Sequence, residues 1–233
     1  MPGNALRPVK VVKNYIKHAE GSCLISMGNS QVLCVATVED KRPLHAEEKN
    51  IGWVTAEYAM LPRAGGKRTP RSRASTGGRA QEISRLIGRS LRGIVDLENL
   101  GERSITIDCD VIQADGGTRT AAINGGMIAL ALALKGLHQK GLLPLWPLKG
   151  FVGAVSVGMF QGKPVLDLDY EKDSQADSDI NIVMTEKGDL VEVQGTAEKV
   201  PFTERQFSSL LKLARRGIQE ILRIQKKVVG KLP

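Results

Sequence analysis

A short turn near the middle of the chain carries the residues best suited to binding an anion. Residues 114–119 read Ala-Asp-Gly-Gly-Thr-Arg and stand where a strand pattern ends and a helix pattern begins. The free backbone N–H groups and the dipole of a helix start favour a negative ligand. Gly117 lets a phosphate approach the backbone, the Thr118 hydroxyl can donate, and Arg119 can supply two parallel charge-assisted hydrogen bonds. The turn predicts a phosphate site, although a Gly-Gly turn before a helix is more often only a turn.

A second Gly-Gly-Arg sequence, residues 77–79, opens another predicted helix. Two helix starts that each carry an arginine, Arg79 and Arg119, could converge on one phosphate. An ATP-type phosphate loop is not indicated, because the chain contains neither Gly-Lys-Ser nor Gly-Lys-Thr.

Carboxylates crowd the segment 167–179, which holds six acidic residues and one lysine. Asp167, Asp169 and Glu171 are expected to share one face of a strand, and Asp173 and Asp179 follow. Grouped carboxylates repel one another unless a cation or a shared proton joins them, and Mg²⁺ or Mn²⁺ suits oxygen ligands of this kind. The competing interpretation is an exposed acidic loop.

Positive charge is concentrated in residues 63–92, which contain nine basic residues, nearly all arginine, and one acid. Nine basic residues minus one acid give this segment a charge of +8. The net charge of the whole chain is also +8, so the positive and negative charges of the other residues are equal in number. A local field of one sign favours a polyanion such as RNA, and arginine suits phosphate, although a solvated basic loop is the alternative. Aromatic residues are only 4% and not clustered for base stacking, so we expect a bound RNA to be contacted at its backbone more than at its bases.

The composition is that of a folded protein, with 42% hydrophobic and 25% charged residues among 233. Cys23, Cys34 and Cys109 stand singly in apolar runs and are expected to be buried reduced thiols. The histidines show no metal-ligand spacing. Without a signal-like N-terminus or a convincing membrane span, we expect a cytoplasmic protein.

The elements that must position these residues form an α+β pattern. Two helices are predicted in the first half, at 80–97 and at 118–137, and the second is apolar nearly all round, which indicates burial between layers. The basic stretch 62–78 is predicted to be a loop. The strands of the first half are predicted at 9–15, 22–27, 31–38, 53–61 and 104–112.

The second half has the same pattern of strands followed by a helix, after a proline-containing crossover at 141–150. Two hairpins are predicted, 151–159 with 164–170 and 181–185 with 190–194, followed by a long helix. Thr203 and Gln206 fit a capping box at its start, and Phe202 and Phe207 fit a hydrophobic staple. We therefore expect one domain over 1–233, whose first half (6–140) carries the phosphate site and whose second half (150–233) carries the acidic site.

Several longer stretches resemble the bacterial ribonuclease PH family, in order and along nearly the whole chain. They are Lys-His-Ala-Glu-Gly-Ser at 17–22, Gly-Trp-Val-Thr-Ala-Glu-Tyr at 52–58, Arg-Leu-Ile-Gly-Arg at 85–89, Gln-Ala-Asp-Gly-Gly-Thr-Arg-Thr at 113–120, Asp-Tyr-Glu-Lys-Asp-Ser at 169–174 and Val-Gln-Gly-Thr-Ala-Glu at 193–198. Together these motifs are highly specific.

The resemblance implies a ribonuclease PH-like fold, in which two similar βα halves with mixed or antiparallel sheets pack around buried helices. It also implies a phosphorolytic 3′-to-5′ exoribonuclease that trims tRNA precursors, and possibly ribosomal RNA. Such an enzyme transfers the terminal nucleotide to inorganic phosphate and releases a nucleoside diphosphate, and the reaction is reversible. The family's rings are usually hexamers, built as trimers of dimers.

The resemblance further assigns roles to individual residues. Phosphate binding is implied for Arg79 and for Gly117, Thr118 and Arg119. Metal binding and general-acid help are implied for Asp173 and Asp179, so that the catalytic set is Arg79, Arg119, Asp173 and Asp179.

The chain departs from the family's pattern in two places. It starts Met-Pro-Gly-Asn-Ala-Leu instead of with an Arg-x-Asp-Gly-Arg motif, and Ser-Thr-Gly-Gly at 75–78 stands where relatives commonly carry lysines. The basic character of this loop survives through Arg68, Arg71 and Arg73, so we expect these residues to bind RNA. Three alternatives stay open: a catalytically inactive RNA-binding subunit of a ring complex, a hydrolytic nuclease that uses metal-bound water, and a small-molecule kinase on a related scaffold.

Overall fold

The computed structural model describes residues 4–233, apart from the side chains of residues 73 and 74. Arg73, one of the predicted RNA contacts, therefore has its side chain outside the described residues. The described part of the chain forms an α+β fold with two sheets, as the sequence patterns predict.

The first sheet has five strands in the order β1-β2-β3-β5-β4, and only β4 runs parallel to its neighbour β5. Their bounds are β1 Val9–Lys13, β2 Gly21–Met27, β3 Ser30–Glu39, β4 Trp53–Met60 and β5 Ser104–Gln113. Alternating side chains of β5 are buried, which confirms the predicted half-buried strand.

The second sheet is antiparallel, with the order β7-β6-β8-β9. Its strands are β6 Val152–Phe160, β7 Lys163–Leu166, β8 Ser178–Thr185 and β9 Leu190–Ala197. Both predicted hairpins are present.

Among residues 4–233, three long helices and four short ones complete the fold. They are α1 Leu44–Glu47, α2 Arg71–Thr76, α3 Gly78–Arg92, α4 Leu97–Leu100, α5 Thr118–Gln139, α6 Tyr170–Asp173 and α7 Glu204–Val229. The prediction that 62–78 is entirely loop is wrong, because α2 forms directly after Pro70, whose fixed φ suits a helix start. Helix α7 begins at the predicted capping box, and the rings of Phe202 and Phe207 stack beside it.

Helix α5 lies at the centre of the molecule and packs against both sheets. It is long and apolar enough to cross a membrane by composition, but 83% of its most apolar window is buried within the fold. Buried Asn124 joins the halves, since its side chain donates to Ala154 O and accepts from Ala154 N, both at 2.8 Å. The three cysteines are buried and unpaired, as expected.

Candidate active site

One cavity of about 320 Å³ brings together residues from both halves of the chain. It lies where the starts of α3 and α5 face the second sheet and helix α6. The residues predicted for the phosphate and acidic sites all line it: Arg79, Gly117, Thr118, Arg119, Asp173 and Asp179. We call this space the central cavity.

The turn before α5, residues 114–119, forms one wall of the central cavity. We call it the phosphate turn, because the sequence predicts that it binds phosphate. Gly117 is the residue before the helix and has φ +66°, and Gly116 has φ +74°. A Cβ at Gly116 would stand 2.6 Å from Leu168 O, which no larger side chain could tolerate. The phosphate turn therefore packs directly against the acidic segment of the other half, and only glycine permits this approach.

Arg7 holds that turn in place. Its guanidinium donates to Asp115 O at 2.6 Å and to Asp167 Oδ1 at 2.7 Å, and its backbone N–H donates to Asp167 Oδ2 at 3.0 Å. The Asp167 side chain is fully buried. This ion pair connects the N-terminal segment, the phosphate turn and the end of β7.

The prediction that Asp167, Asp169 and Glu171 share one face of a strand is wrong. Strand β7 ends at Leu166, and Asp167 turns the chain with φ +54°. Asp169 then caps α6, accepting from the backbone N–H of Lys172 at 2.9 Å, and Glu171 is exposed. The three carboxylates therefore do not lie on one strand face. Asp167 pairs with Arg7, Asp169 caps α6, and Glu171 faces solvent.

Thr118 is fixed by a tyrosine of the first sheet. Its Oγ1 lies 2.8 Å from the hydroxyl of Tyr58, and Thr118 is only 9% exposed. Burial raises the pKa of Tyr58 despite the hydrogen bond to Thr118, so the phenol keeps its proton. If the phenol donates, the threonine hydroxyl is free to donate to an anion in the central cavity.

Arg119 is oriented by two residues that the sequence did not single out. Its Nη1 donates to Gln194 Oε1 at 2.7 Å, and Gln194 Nε2 donates to Glu82 Oε1 at 2.6 Å. Glu82 also lies 3.9 Å from Arg119. Helix α3, helix α5 and strand β9 thus meet at this arginine.

The acidic wall of the cavity is weakly solvated. Burial, and then the negative charge of Asp173, raise the pKa of Asp179 to about 6, although Arg119 and a hydrogen bond from Asn181 oppose the shift. Burial also raises the pKa of Asp173, while Arg119 and Arg79 act in the opposite direction. A carboxylic acid with a pKa near neutrality can hold a proton for transfer at physiological pH.

The basic segment adjoins the cavity. Gly65 and Gly66 line it, and the carbonyl of Ala64 accepts from Ala114 N at 2.9 Å, which docks the loop beside the phosphate turn. Arg68 and Arg71 are exposed just beyond this loop. Their positions would suit the backbone of an RNA strand that enters the cavity.

Two arginines of α3 have other contacts. Arg89 forms an ion pair with Glu192 at 3.0 Å, and Arg92 stacks over Trp53, 4.5 Å from the ring centroid. Among the basic residues of the segment 63–92, those nearest the cavity therefore lie in the loop and at the start of α3, and not along the whole helix.

A larger groove of about 520 Å³ lies against β4, β5 and α3. Glu57, Asp108 and Asp110 line it, and burial raises the pKa of both aspartates. Arg85 is the one arginine on its wall among the described residues. This acidic groove is a poor site for phosphate, so chemistry favours the smaller cavity.

Sequence reasoning missed the residues that support the site: Arg7, Tyr58, Glu82, Ser156, Asn181 and Gln194. Tyr58 and Gln194 lie within stretches that resemble the ribonuclease PH family, which was the available signal. The partners of Arg7 and the position of Ser156 in the cavity could not be read from the sequence.

Comparison with known proteins agrees with this arrangement. Residues 5–135 match the model of the 3′ exoribonuclease family, domain 1, and residues 150–217 match that of domain 2. Ribonuclease PH from Moorella thermoacetica is 55% identical over 227 residues, which are 97% of this chain and 91% of that protein.

Two solved structures are similar in fold. The Archaeoglobus fulgidus exosome with RNA bound to the active site has a TM-score of 0.80 at 20% identity, covering 96% of this chain and 90% of that one. An archaeal exosome core has a TM-score of 0.76 at 20% identity, covering 98% and 89%.

Proposed function

The chain belongs to the 3′ exoribonuclease family, and from this we propose that it is a phosphate-dependent 3′-to-5′ exoribonuclease that trims the 3′ ends of tRNA precursors. It transfers the terminal nucleotide to inorganic phosphate and releases a nucleoside diphosphate. The observation that carries the proposal is the central cavity, in which two arginines and a glycine turn face two aspartates.

Phosphate is the nucleophile in this reaction. Arg79, Arg119, Thr118 and the backbone at Gly117 bind it, and it attacks the last phosphodiester in line. A new P–O bond forms to the attacking phosphate, and the bond to the 3′ oxygen of the preceding nucleotide breaks. Positioning and charge stabilisation supply most of the catalysis, since little covalent work is left to the protein.

Asp179 is the proposed general acid. Its pKa of about 6 lets a useful fraction carry a proton near neutral pH, and that proton passes to the departing 3′ oxygen. The reaction retains the energy of the phosphodiester in the diphosphate product, so it runs in reverse when nucleoside diphosphates are abundant.

A divalent cation is also part of the proposal. Asp173 and Asp179 both line the cavity from the second half of the chain. Mg²⁺ is commonly bound by one or two carboxylates together with substrate phosphates, so this donor set fits Mg²⁺ or Mn²⁺. Such an ion would offset the negative charge of two phosphate groups.

We further propose a cytoplasmic homo-oligomer, a hexameric ring built as a trimer of dimers, that binds tRNA precursors and other RNA. The support is the resemblance to ribonuclease PH together with exposed apolar side chains such as Val12, Leu142 and Leu145. Sedimentation of the purified protein tests the ring.

Product analysis tests the function. The protein is incubated with a synthetic tRNA-like 3′ tail, with and without phosphate, and the released nucleotides are separated. We expect nucleoside diphosphates, released only when phosphate is present. Monophosphates without phosphate would indicate a hydrolytic nuclease, and RNA binding without products would indicate an inactive subunit.

A matched pair of variants makes this test specific to the cavity. Arg119→Ala should abolish diphosphate release while leaving much of the RNA binding. Arg223→Ala changes an exposed arginine on α7 and should behave as the unmodified protein.

A further inference from the structure

Two polar atoms on the acidic side of the central cavity lack a hydrogen-bond partner among the described residues. They are Ser156 Oγ and Asp179 Oδ1. Ser156 is only 4% exposed, and both residues line the cavity. Buried polar groups are nearly always bonded, so this pair of atoms indicates a place for a polar group of the substrate.

The register of the second sheet places these atoms beside each other. Ser156 of β6 pairs with Asn181 of β8, and Asp179 lies two residues along the same strand. Residues that pair across two strands, and residues two apart on one strand, point to the same face. Asn181 Nδ2 donates to Asp179 Oδ2 at 3.3 Å, which leaves Asp179 Oδ1 for another partner.

The chemistry of the substrate identifies that partner, given the proposed function. Asp179 serves the departing 3′ oxygen. In ribose the 2′-hydroxyl is cis to the 3′ oxygen on the neighbouring carbon, so it lies next to whichever group contacts the 3′ oxygen. Ser156, adjacent to Asp179 on this face, is placed for that hydroxyl. A hydroxyl can also both donate and accept, as the two unpartnered atoms require.

We infer that Ser156 hydrogen-bonds the 2′-hydroxyl of the penultimate ribose and contributes to the choice of RNA over DNA. The 2′-hydroxyl is the group by which a protein distinguishes the two nucleic acids at a given site. The inference rests on the proposed function and adds a specificity residue to it.

The test compares the unmodified protein and Ser156→Ala on three RNA tails in single-turnover phosphorolysis. One tail is all-ribose, one has a single 2′-deoxy sugar at the penultimate nucleotide, and one has it at the terminal nucleotide. We expect the unmodified protein to cleave the penultimate-deoxy tail about tenfold more slowly than the all-ribose tail, as loss of one good hydrogen bond predicts. Ser156→Ala should cleave both at nearly the same reduced rate.

Controls separate this role from a structural one. Ser209→Ala changes an exposed serine of α7 and should keep the tenfold discrimination. The Ser156→Ala protein should unfold at an unchanged or higher urea concentration, because the removed hydroxyl has no partner among the described residues. The terminal-deoxy tail should be slowed by Ser156→Ala as much as the all-ribose tail is.

Each failure has a separate meaning. If Ser156→Ala slows all three tails by the same factor, or if its penultimate discrimination persists, the inference about Ser156 is overturned while the function stands. If the unmodified protein releases no nucleoside diphosphate from the all-ribose tail, the proposed function itself fails.

Discussion

Arg119 of α5 donates a 2.7 Å hydrogen bond to Gln194 of β9, so the second half of the chain orients an arginine of the first half that we propose binds phosphate. Gln194 is itself fixed by its 2.6 Å hydrogen bond to Glu82. A guanidinium that must bind phosphate in one geometry loses less freedom on binding when a neighbour already holds it. Gln194 is therefore a positioning residue.

Gln194→Ala should raise the phosphate concentration for half-maximal rate about tenfold, since hydrogen bonds to charged groups contribute about 1.5 kcal/mol. RNA affinity should change little. The apparent KM for phosphate at saturating RNA measures the effect, and Gln139→Ala, at an exposed position on α5, is the control.

A charge exchange sharpens this prediction. Gln194→Glu alone should also impair phosphate binding, because its carboxylate cannot donate to Glu82. Adding Glu82→Gln restores a donor and should recover most of the activity. An unrecovered double variant would argue against the Glu82 link.

The burial of Asp179 predicts a dependence of stability on pH. Its pKa is about 6 in the folded protein against 3.8 as the ordinary value, so between these pH values the folded state binds more protons than the unfolded state. Stability contributed by this group therefore falls as pH rises from about 4 to about 6.

Asp179→Asn should remove this cost and with it the activity. In metal-free buffer the variant should be more stable than the unmodified protein by about 3 kcal/mol at pH 7.5, and the difference should become small near pH 4. Urea unfolding across this range measures it. Parallel stability curves for the two proteins would contradict the assignment.

The buried ion pair of Arg7 and Asp167 should be important for folding. Asp167→Ala leaves the guanidinium of Arg7, 12% exposed, without its carboxylate, which should cost about 3 kcal/mol in the free energy of unfolding. Removing both partners should cost less than the sum of the two single changes. The control is Asp40→Ala, since Asp40 is 89% exposed in its pair with Arg103 and should matter by less than about 0.5 kcal/mol.

The loop beside the cavity should supply RNA affinity rather than chemistry. Replacing exposed Arg68 and Arg71 with alanine should weaken binding of a single-stranded RNA and lower the slope of log affinity against log salt by about 1.4. Fluorescence titration at several salt concentrations gives the slope. Changing Lys10 and Lys17, exposed near β1, serves as the comparison, and equal slopes for the two double variants would rule out this role of the loop.

The sequence alone determined most of the elements and predicted which residues line the central cavity. Hydrophobic periodicity located both sheets' strands and the long helices, because side-chain direction repeats every two or 3.6 residues. The turn at Gly117, Thr118 and Arg119 was recognisable because helix-start chemistry is local. The family followed from short motifs in order.

Only the tertiary structure decided which side chains meet. Arg7 and Asp167 are 160 residues apart in sequence, and Arg119 and Gln194 are 75 apart, so no local pattern links them. The pKa of Asp179 likewise depends on burial between two halves that fold against each other. Local sequence encodes the helices and strands, whereas side-chain contacts and desolvation arise from tertiary packing. This packing brings Arg119 together with Gln194 and places it in the same cavity as Asp173 and Asp179.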